Sequence, residues 1–403
     1  VALMHTKLGL PEVTLGLIPG AGGTQLLPRL AGVEMALEMI TSGKPHTAKK
    51  LLDHSIIDLL VEEESSVTEG SLLQQAILFA QTIVETDQGV RRVSQMSIEK
   101  SDLHSEMFDQ WRKKLAQKAR GQNAPQCCID SIENAVLVPF EEGKKRERDL
   151  FIKCRDSFQS AAMRHAFFAE RRAATLPETY DKTKNATLSP IQQVAVIGAG
   201  TMGGGIAMCF ANVGLSVTLL EMSEDNLTRG LSAIRNRFEQ ALKRGLIDKV
   251  QLEERMSLIV GTCDYADLAD VDLVVEAAFE TMAVKQQIFS TLDRVCKVDA
   301  ILASNISYLD INEIAGSTSR SHKVLGMHFF APANIMKLLE VVCTDDTDEK
   351  TLKTVMALGK KLGKISVAVG ICYGFVGNRM YACYGREANM LLLEGASPDQ
   401  IDT

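Results

Sequence analysis

The sequence predicts an α/β protein of more than one domain. From Ile191 onward, short β-branched runs alternate with helical patterns, as a doubly wound sheet requires. Residues 141–173 carry apolar side chains at steps of three and four, among them Phe151, Cys154 and Phe158, which predicts one amphipathic connecting helix. The 403 residues also suggest two or three domains, at roughly 150 residues each.

Composition and charge exclude several function classes. The chain has 44 basic and 51 acidic residues, a net charge of −7, which argues against a general nucleic-acid or membrane-surface binder. It has no apolar run of the roughly 20 residues that a membrane span needs. Its nine cysteines have no zinc-site spacing, so we expect mostly buried free thiols and no metal.

The stretch 194–207, VAVIGAGTMGGGIA, is typical of a dinucleotide-binding turn. A predicted strand, Val194–Ile197, leads into glycines at G-x-G-x-x-G spacing, and a helix follows through Val213. The first glycine permits a tight turn, the second admits a pyrophosphate, and the third lets the helix pack on the strand. The phosphates would bind backbone amides at the helix N-terminus. The predicted cofactor contacts here are Gly198, Gly200, Thr201, Met202 and Gly203.

An acidic residue follows the second predicted strand. Ser216–Leu220 ends at Glu221, 23 residues after Gly198, where a carboxylate binds the adenosine ribose hydroxyls. That carboxylate would repel a 2′-phosphate, so the sequence favours NAD over NADP. FAD shares the fingerprint and is the competing cofactor, and a glycine-rich turn without a ligand is the remaining alternative.

Two further predicted strands deliver polar residues to the same sheet edge. Val271–Val275 ends at Glu276, and Ala300–Ala303 is followed by Ser304, Asn305 and Ser307. The carboxyl ends of parallel strands face the ligand crevice. Serine and asparagine are also common capping residues, so a capping role for Ser307 stays open.

The segment 326–342, GMHFFAPANIMKLLEVV, carries a candidate acid–base pair. His328 follows the strand-like run Lys323–Met327, and Glu340 lies inside the apolar run Leu338–Val342. A carboxylate in an apolar strand needs a partner, and such a partner histidine can act as a general base. A structural histidine is the alternative. Asn378 is a candidate to complete the hydrogen-bond network.

Five stretches together resemble the L-3-hydroxyacyl-CoA dehydrogenase family. They read VAVIGAGTMGGGIA, DLVVEAAFETMAVK, ASNISYLDI, GMHFFAPANIMKLLEVV and GKISVAVGICYGFVGNRM. The resemblance implies a Rossmann-type NAD-binding domain over 191–370 and the start of an all-α domain over 371–403. It implies His328 as catalytic base with Glu340 as its partner, and Ser307 and Asn378 at the substrate. The residues it implies at NAD are Glu221, Glu280, Lys285 and Ser307.

Residues 8–32, LGLPEVTLGLIPGAGGTQLLPRLAG, are similar to the enoyl-CoA hydratase/isomerase (crotonase) family. The resemblance implies that Glu12 is one of two catalytic glutamates, and that the turn Gly20–Gly23 starts a helix whose N-terminus faces the active site. The second glutamate and the oxyanion-hole donors are expected upstream of residue 1.

Both resemblances in one chain imply a bifunctional, peroxisomal-type β-oxidation enzyme, present here as a fragment lacking both ends. The implied organisation is a partial crotonase-like domain over 1–140, a connecting helix over 141–175 and a linker over 176–190, before the two dehydrogenase parts. The implied function is NAD-dependent oxidation of L-3-hydroxyacyl-CoA to 3-oxoacyl-CoA, with hydratase/isomerase activity in the full-length protein. The alternatives are a protein that is mainly a hydratase/isomerase with a weak NAD-binding half, and a non-catalytic NAD-binding or assembly module.

The same resemblance sets expectations for partners and compartment. Acyl-CoA thioesters are the expected substrates, and neither nucleic acid nor membrane insertion is expected. The full-length protein would be monomeric or part of a β-oxidation assembly. It would lie in the peroxisomal matrix or, in bacteria, in the cytoplasm.

Overall fold

The structure, a computed structural model, describes residues 1–61, 69–86, 89–98, 106–173, 175–176 and 188–402. The chain divides into two compact units, residues 1–169 and residues 170–403. The linker predicted over 176–190 lies largely outside the described residues. Within the described part, no helix combines the length and the apolar character needed to cross a membrane.

The first unit is mainly helical. Its helices are α1 (Gly23–Ala31), α2 (Val33–Ser42), α3 (Ala48–Leu52), α4 (Glu69–Glu85), α5 (Met107–Lys118), α6 (Ala124–Leu137), α7 (Phe140–Arg155) and α8 (Phe158–Ala173). Its strands are β1 (Ala2–Leu3), β2 (Lys7–Leu8), β3 (His46–Thr47) and β4 (Leu60–Val61), and short 3₁₀ helices cover Pro11–Leu15 and Val93–Gln95. The apolar faces of α1, α2 and α6 form most of its buried core.

The connecting segment forms two helices where the sequence predicted one. α7 ends at Arg155 and α8 begins at Phe158. The Ser157 hydroxyl donates to the Cys154 carbonyl at 2.6 Å and accepts from the Ser160 amide at 3.1 Å, so it ends one helix and caps the next. Cys154 is buried as predicted, but Phe158 is 88% exposed, because the break turns it away from that face.

The second unit contains an eight-stranded sheet with helices on both faces. Its strands are β5 (Gln193–Ile197), β6 (Ser216–Leu220), β7 (Ile259–Thr262), β8 (Leu273–Glu276), β9 (Ile301–Ser304), β10 (Val324–Phe329), β11 (Leu338–Cys343) and β12 (Ile365–Val369). Its helices are α9 (Thr201–Ala211), α10 (Glu224–Lys243), α11 (Lys249–Ser257), α12 (Met282–Val295), α13 (Ile311–Ala315), α14 (Glu349–Lys361), α15 (Gly377–Leu393) and α16 (Pro398–Asp402), with 3₁₀ helices at Tyr265–Leu268 and Ser321–Lys323.

The strand order is β12-β11-β10-β9-β8-β5-β6-β7, which confirms the predicted doubly wound α/β fold. The chain passes from β5 to β6 and β7 on one side, then returns to β8 on the other. The carboxyl end of β5 is therefore a topological switch point, where such sheets open a ligand crevice.

One strand pair departs from the parallel pattern. β10 and β11 run antiparallel, joined by the short connection after Phe329. β10 also extends two residues beyond the predicted Lys323–Met327 run, so His328 lies inside the strand. The antiparallel register places His328 directly opposite Glu340.

Candidate functional site

The glycine turn after β5 has the geometry that its spacing predicts. Gly198 has φ +98°, a conformation that side chains rarely adopt. A Cβ atom on Gly203 would lie 1.8 Å from the Gly198 carbonyl oxygen, so α9 can pack against the turn only with glycine there. A Cβ atom on Gly200 would meet open space, which leaves that backbone accessible to a ligand.

A cavity of about 1060 Å³ runs along this turn. Glu221, directly after β6, lines it, and its Oε2 accepts the Ala199 amide at 3.0 Å. Thr201 and Met202, at the N-terminus of α9, line it too, and the first amides of a helix have no intrahelical partner. Open glycine backbone, a helix N-terminus and an edge carboxylate fit the pyrophosphate and ribose of a dinucleotide.

Lys285 lies in a buried ion pair below the crevice. Its Nζ is 2.8 Å from both carboxylate oxygens of Glu276, and the two side chains are 1% and 0% exposed. Ser304 donates to the same carboxylate at 2.6 Å. The structure therefore places the Lys285 ammonium against Glu276, although the sequence resemblance implied a contact with NAD.

Glu280 positions the segment that carries Ser307. Its Oε1 accepts the backbone amides of Ser307 and Tyr308, at 2.8 and 2.7 Å. The Ser307 hydroxyl lies 3.2 Å from Nε2 of His328. Ser307 thus lies at the histidine, although the resemblance implied it at the substrate and at NAD, and the Glu280 oxygen is bound to backbone.

The central feature of the site is the cross-strand pair of His328 and Glu340. Nδ1 of His328 is 2.8 Å from Oε2 of Glu340, and the residues are 3% and 1% exposed. Because the carboxylate can only accept, we assign the Nδ1 proton to the histidine and leave Nε2 free to accept. Nε2 points to Ser307, at the edge of the sheet where a substrate would lie.

Glu340 also holds the N-terminus of α15. Its Oε1 accepts the amides of Val376 and Gly377, at 3.0 and 2.8 Å. Burial alone would raise the pKa of Glu340, but the hydrogen bonds from His328 and Gly377 hold that pKa below its ordinary value. The carboxylate is therefore charged at neutral pH and faces the imidazole as an anion.

Two aromatic rings that the sequence analysis missed flank the imidazole. The ring centroids of Phe330 and Phe375 lie 4.5 and 5.5 Å from that of His328. A Cβ atom on Gly377 would lie 2.8 Å from the Phe330 ring, so the ring needs glycine beside it. Phe330 is next to Phe329 in the quoted motif, but only the fold shows that Phe375 reaches the histidine.

Asn378 lies in the first turn of α15, one residue after the Gly377 amide that binds Glu340. Among the described residues, its amide group has no hydrogen-bond partner. The structure thus places Asn378 in the segment that Glu340 anchors, and the Asn378 amide group could bind a substrate there.

Glu12 lies in the first unit, in the 3₁₀ helix Pro11–Leu15. Its Oε2 is buried and has no hydrogen-bond partner among the described residues. A buried carboxylate oxygen without a donor is costly, which is typical of a site that meets a further group.

The resemblance implied that the N-terminus of α1 faces an active site, and in the structure two amides at this N-terminus are already bound. The amides of Gly22 and Thr24 donate to the Glu147 carboxylate on α7, at 2.6 and 2.9 Å. A side chain more than 120 residues away in sequence therefore uses these donors, and no local spacing pattern could have indicated it.

The cysteines follow the prediction. All nine are free, and Cys127, Cys128, Cys154, Cys209, Cys296 and Cys343 are buried. A hydrogen bond from Cys154 lowers the pKa of Cys127 to about 7, against the effect of its burial.

The two halves of the chain match two different families. Residues 193–372 match the model for the NAD binding domain of 3-hydroxyacyl-CoA dehydrogenase. Residues 1–127 match the model for enoyl-CoA hydratase/isomerase. The peroxisomal bifunctional enzyme of Danio rerio is 42% identical over the whole chain, and that of Homo sapiens is 39% identical. The chain spans 54% of the length of each of these relatives.

The chain is thus similar over its whole length to peroxisomal bifunctional enzymes, and two separate segments match the enoyl-CoA hydratase/isomerase and 3-hydroxyacyl-CoA dehydrogenase models. The dehydrogenase match is supported by a similar solved structure. The (S)-3-hydroxybutyryl-CoA dehydrogenase PaaH1 from Ralstonia eutropha is 35% identical, with a TM-score of 0.51. The match covers 52% of this chain and 75% of that one. Residues 193–372 match a model of an NAD binding domain, which confirms NAD over FAD.

The sequence analysis missed the partner of Glu276, although the argument that identified the partner of Glu340 would have found it. Glu276 ends an apolar strand, as Glu340 lies within one, so the argument that a buried carboxylate needs a partner applies to both. Applied to Glu276, it would have indicated a cation nearby, and Lys285 is the one that the structure shows.

Proposed function

We propose that this protein oxidises L-3-hydroxyacyl-CoA thioesters to 3-oxoacyl-CoA with NAD as the acceptor. The observation that carries the proposal is the buried His328–Glu340 pair, which lies on the same edge of the sheet as the dinucleotide turn after β5. A general base at a nicotinamide site serves alcohol oxidation, because the hydroxyl proton must leave as hydride leaves carbon.

The chain's own residues account for the proton. The substrate hydroxyl donates to Nε2 of His328, which takes the proton and becomes an imidazolium. Glu340, an anion 2.8 Å from Nδ1, stabilises that positive charge and fixes the ring tautomer. NAD, when bound, would accept the hydride from C3, and the C3 alcohol would thereby become a ketone.

Two side chains would orient the substrate oxygen and thioester. The Ser307 hydroxyl, 3.2 Å from Nε2, can donate to the same oxygen that His328 deprotonates. Asn378 presents an amide from the first turn of α15 and would bind the substrate near that oxygen. The carbinol group is thereby held so that its hydroxyl proton can pass to His328 as the hydride leaves C3.

A second activity is supported by the first unit. The buried, partnerless Oε2 of Glu12 fits one carboxylate of a pair that activates and orients water at an enoyl thioester. The full-length protein would then hydrate or isomerise enoyl-CoA, with the second glutamate outside this chain. The hydrated product is a 3-hydroxyacyl-CoA, the substrate of the second unit.

The relatives favour one of the two expected compartments. The curated relatives from fish, mammals and plants are named peroxisomal or glyoxysomal, which supports the proposal of a peroxisomal matrix location over a bacterial cytoplasm. Acyl-CoA thioesters are its substrates in this proposal. The domain boundaries after residues 140, 175, 190 and 370 are part of the same proposal.

The test is NADH formation by the full-length protein with L-3-hydroxybutyryl-CoA, with the D-isomer as control. We expect NADH from the L-isomer only, and hydration of crotonyl-CoA in a separate assay. Hydration without NADH would support the alternative of a mainly hydratase protein. The absence of both activities, with NAD still bound, would support a non-catalytic module.

A further inference from the structure

Three residues on one face of α7, Gly143, Glu147 and Phe151, pack against the segment that follows Glu12. Gly143 lies so close to α1 that a Cβ atom there would be 2.1 Å from Oε1 of Gln25. One turn later, Glu147 binds the amides of Gly22 and Thr24. Another turn later, the Phe151 ring lies 3.5 Å from where a Cβ atom on Gly20 would be. Steps of four residues on one helix therefore fit one continuous surface.

α8 holds the other end of the same segment. The Ser160 hydroxyl donates to the Leu15 carbonyl at 3.0 Å. Gly16 has φ +68°, and a Cβ atom there would lie 2.9 Å from the Ser160 Cα. The stretch from Glu12 to α1 is thus fixed from both ends by the connecting segment.

Glu147 is the polar centre of this contact. It is 3% exposed, and among the described residues no cation pairs with it. Besides the two amides, the Thr24 hydroxyl donates to it, and the Ser131 hydroxyl lies 2.6 Å from the Thr24 oxygen. A buried carboxylate is stable only with such donors, so Glu147 ties the N-terminus of α1 to α7.

We propose that Glu147 is a positioning residue for the hydratase reaction, supplied by the connecting segment, which holds the Gly20–Gly23 turn and thereby the placement of Glu12. This inference rests on the proposed function of the first unit. It assigns a catalytic consequence to a helix that otherwise joins two enzymes. Hydration would then depend on the connecting segment, and oxidation would not.

The experiment compares Glu147→Gln and Glu147→Ala with Glu141→Gln in the full-length protein. Glu141 lies on the same helix, and its side chain is 79% exposed. We expect kcat for crotonyl-CoA hydration to fall by about 10- to 100-fold in Glu147→Ala, because small displacements of a catalytic group have effects of this order. Glu147→Gln, which keeps one carbonyl oxygen as acceptor, should retain more activity. NADH formation from L-3-hydroxybutyryl-CoA should stay at the wild-type rate in all three variants.

Hydrogen exchange gives a readout that does not depend on activity. The amides over 20–26 should exchange faster in Glu147→Ala and unchanged in Glu141→Gln. A wild-type rate of hydration in Glu147→Ala would overturn the inference. A parallel fall of both activities and of Tm would overturn it too, because it would indicate a general structural role. A wild-type protein that forms NADH but does not hydrate crotonyl-CoA would instead refute the proposed hydratase function, and this inference with it.

Discussion

Replacing Glu340 by Gln isolates the charge that faces the catalytic histidine. The amide keeps the size of the side chain and one carbonyl oxygen, which can still accept the amides of Val376 and Gly377. Its NH₂ group, however, would meet the Nδ1–H of His328 as a second donor. The anion that stabilises the imidazolium is lost, while the anchor of α15 is retained.

The magnitude follows from the geometry of the pair. The bond is 2.8 Å long and both residues are buried, so solvent does not replace the carboxylate. A charge-assisted hydrogen bond contributes about 1.5–3 kcal/mol. If it acts when His328 is charged, its loss lowers kcat by about 10- to 150-fold, since each 1.36 kcal/mol is tenfold in rate.

The assay is NADH formation from L-3-hydroxybutyryl-CoA, together with NAD affinity and Tm. We expect a lower kcat with NAD affinity close to wild type, and a modest fall in Tm at neutral pH because the charge-assisted bond is lost from the folded state. Glu313→Gln, an exposed carboxyl on α13 of the same unit, is the matched control and should match wild type. A Glu340→Gln protein whose kcat stays within about twofold of wild type would refute the role given to this carboxylate, because a twofold change in rate corresponds to less than about 0.5 kcal/mol.

Three further predictions concern the fold around the site. Lys285→Met should lower the free energy of unfolding by about 3–5 kcal/mol, because it leaves the buried Glu276 without its partner. Lys249→Met, on the exposed face of α11, is the control and should not lower it. A loss of NAD affinity without a loss of stability would show that Lys285 acts on the cofactor instead. Gly203→Ala should abolish NAD binding, because its Cβ atom would lie 1.8 Å from a backbone oxygen, whereas Gly385→Ala, with open space around it, should bind NAD normally in calorimetry. The pKa of Glu340 is lowered from 4.5 in the folded state, so its contribution to stability should be complete above about pH 4.5 and be lost as the pH falls through the folded pKa. The urea midpoints of wild type and Glu340→Gln should therefore converge at acidic pH. A difference between the two midpoints that does not change with pH would contradict the lowered pKa.

The strands and glycine turn of the nucleotide-binding half could be predicted from the sequence, because these features depend on residues that are close together along the chain. β6 has the predicted bounds, and the three glycines have the predicted backbone geometry, since a tight turn, an open backbone and helix packing each depend on neighbouring residues. His328 and Glu340 could be paired because a carboxylate in an apolar strand is costly alone. Their antiparallel register could not be predicted, since it depends on how the chain reverses after Phe329.

The missed features come from contacts between distant residues. The periodicity continues through Asp156 and Ser157, so the pattern predicted one helix where a serine cap makes two. Glu147 lies in a charged stretch, where an exposed side chain is the usual outcome. Its burial depends on donors that α1 presents only in the folded unit.

The most direct test of the central claim compares His328→Gln with wild type in the full-length protein under single-turnover conditions. NAD affinity is measured separately by calorimetry. The proposed mechanism predicts that the variant binds NAD normally and that its rate of NADH formation from L-3-hydroxybutyryl-CoA falls by at least about 100-fold, the range typical for loss of a general base. A variant that binds NAD and keeps most of the wild-type rate would contradict it.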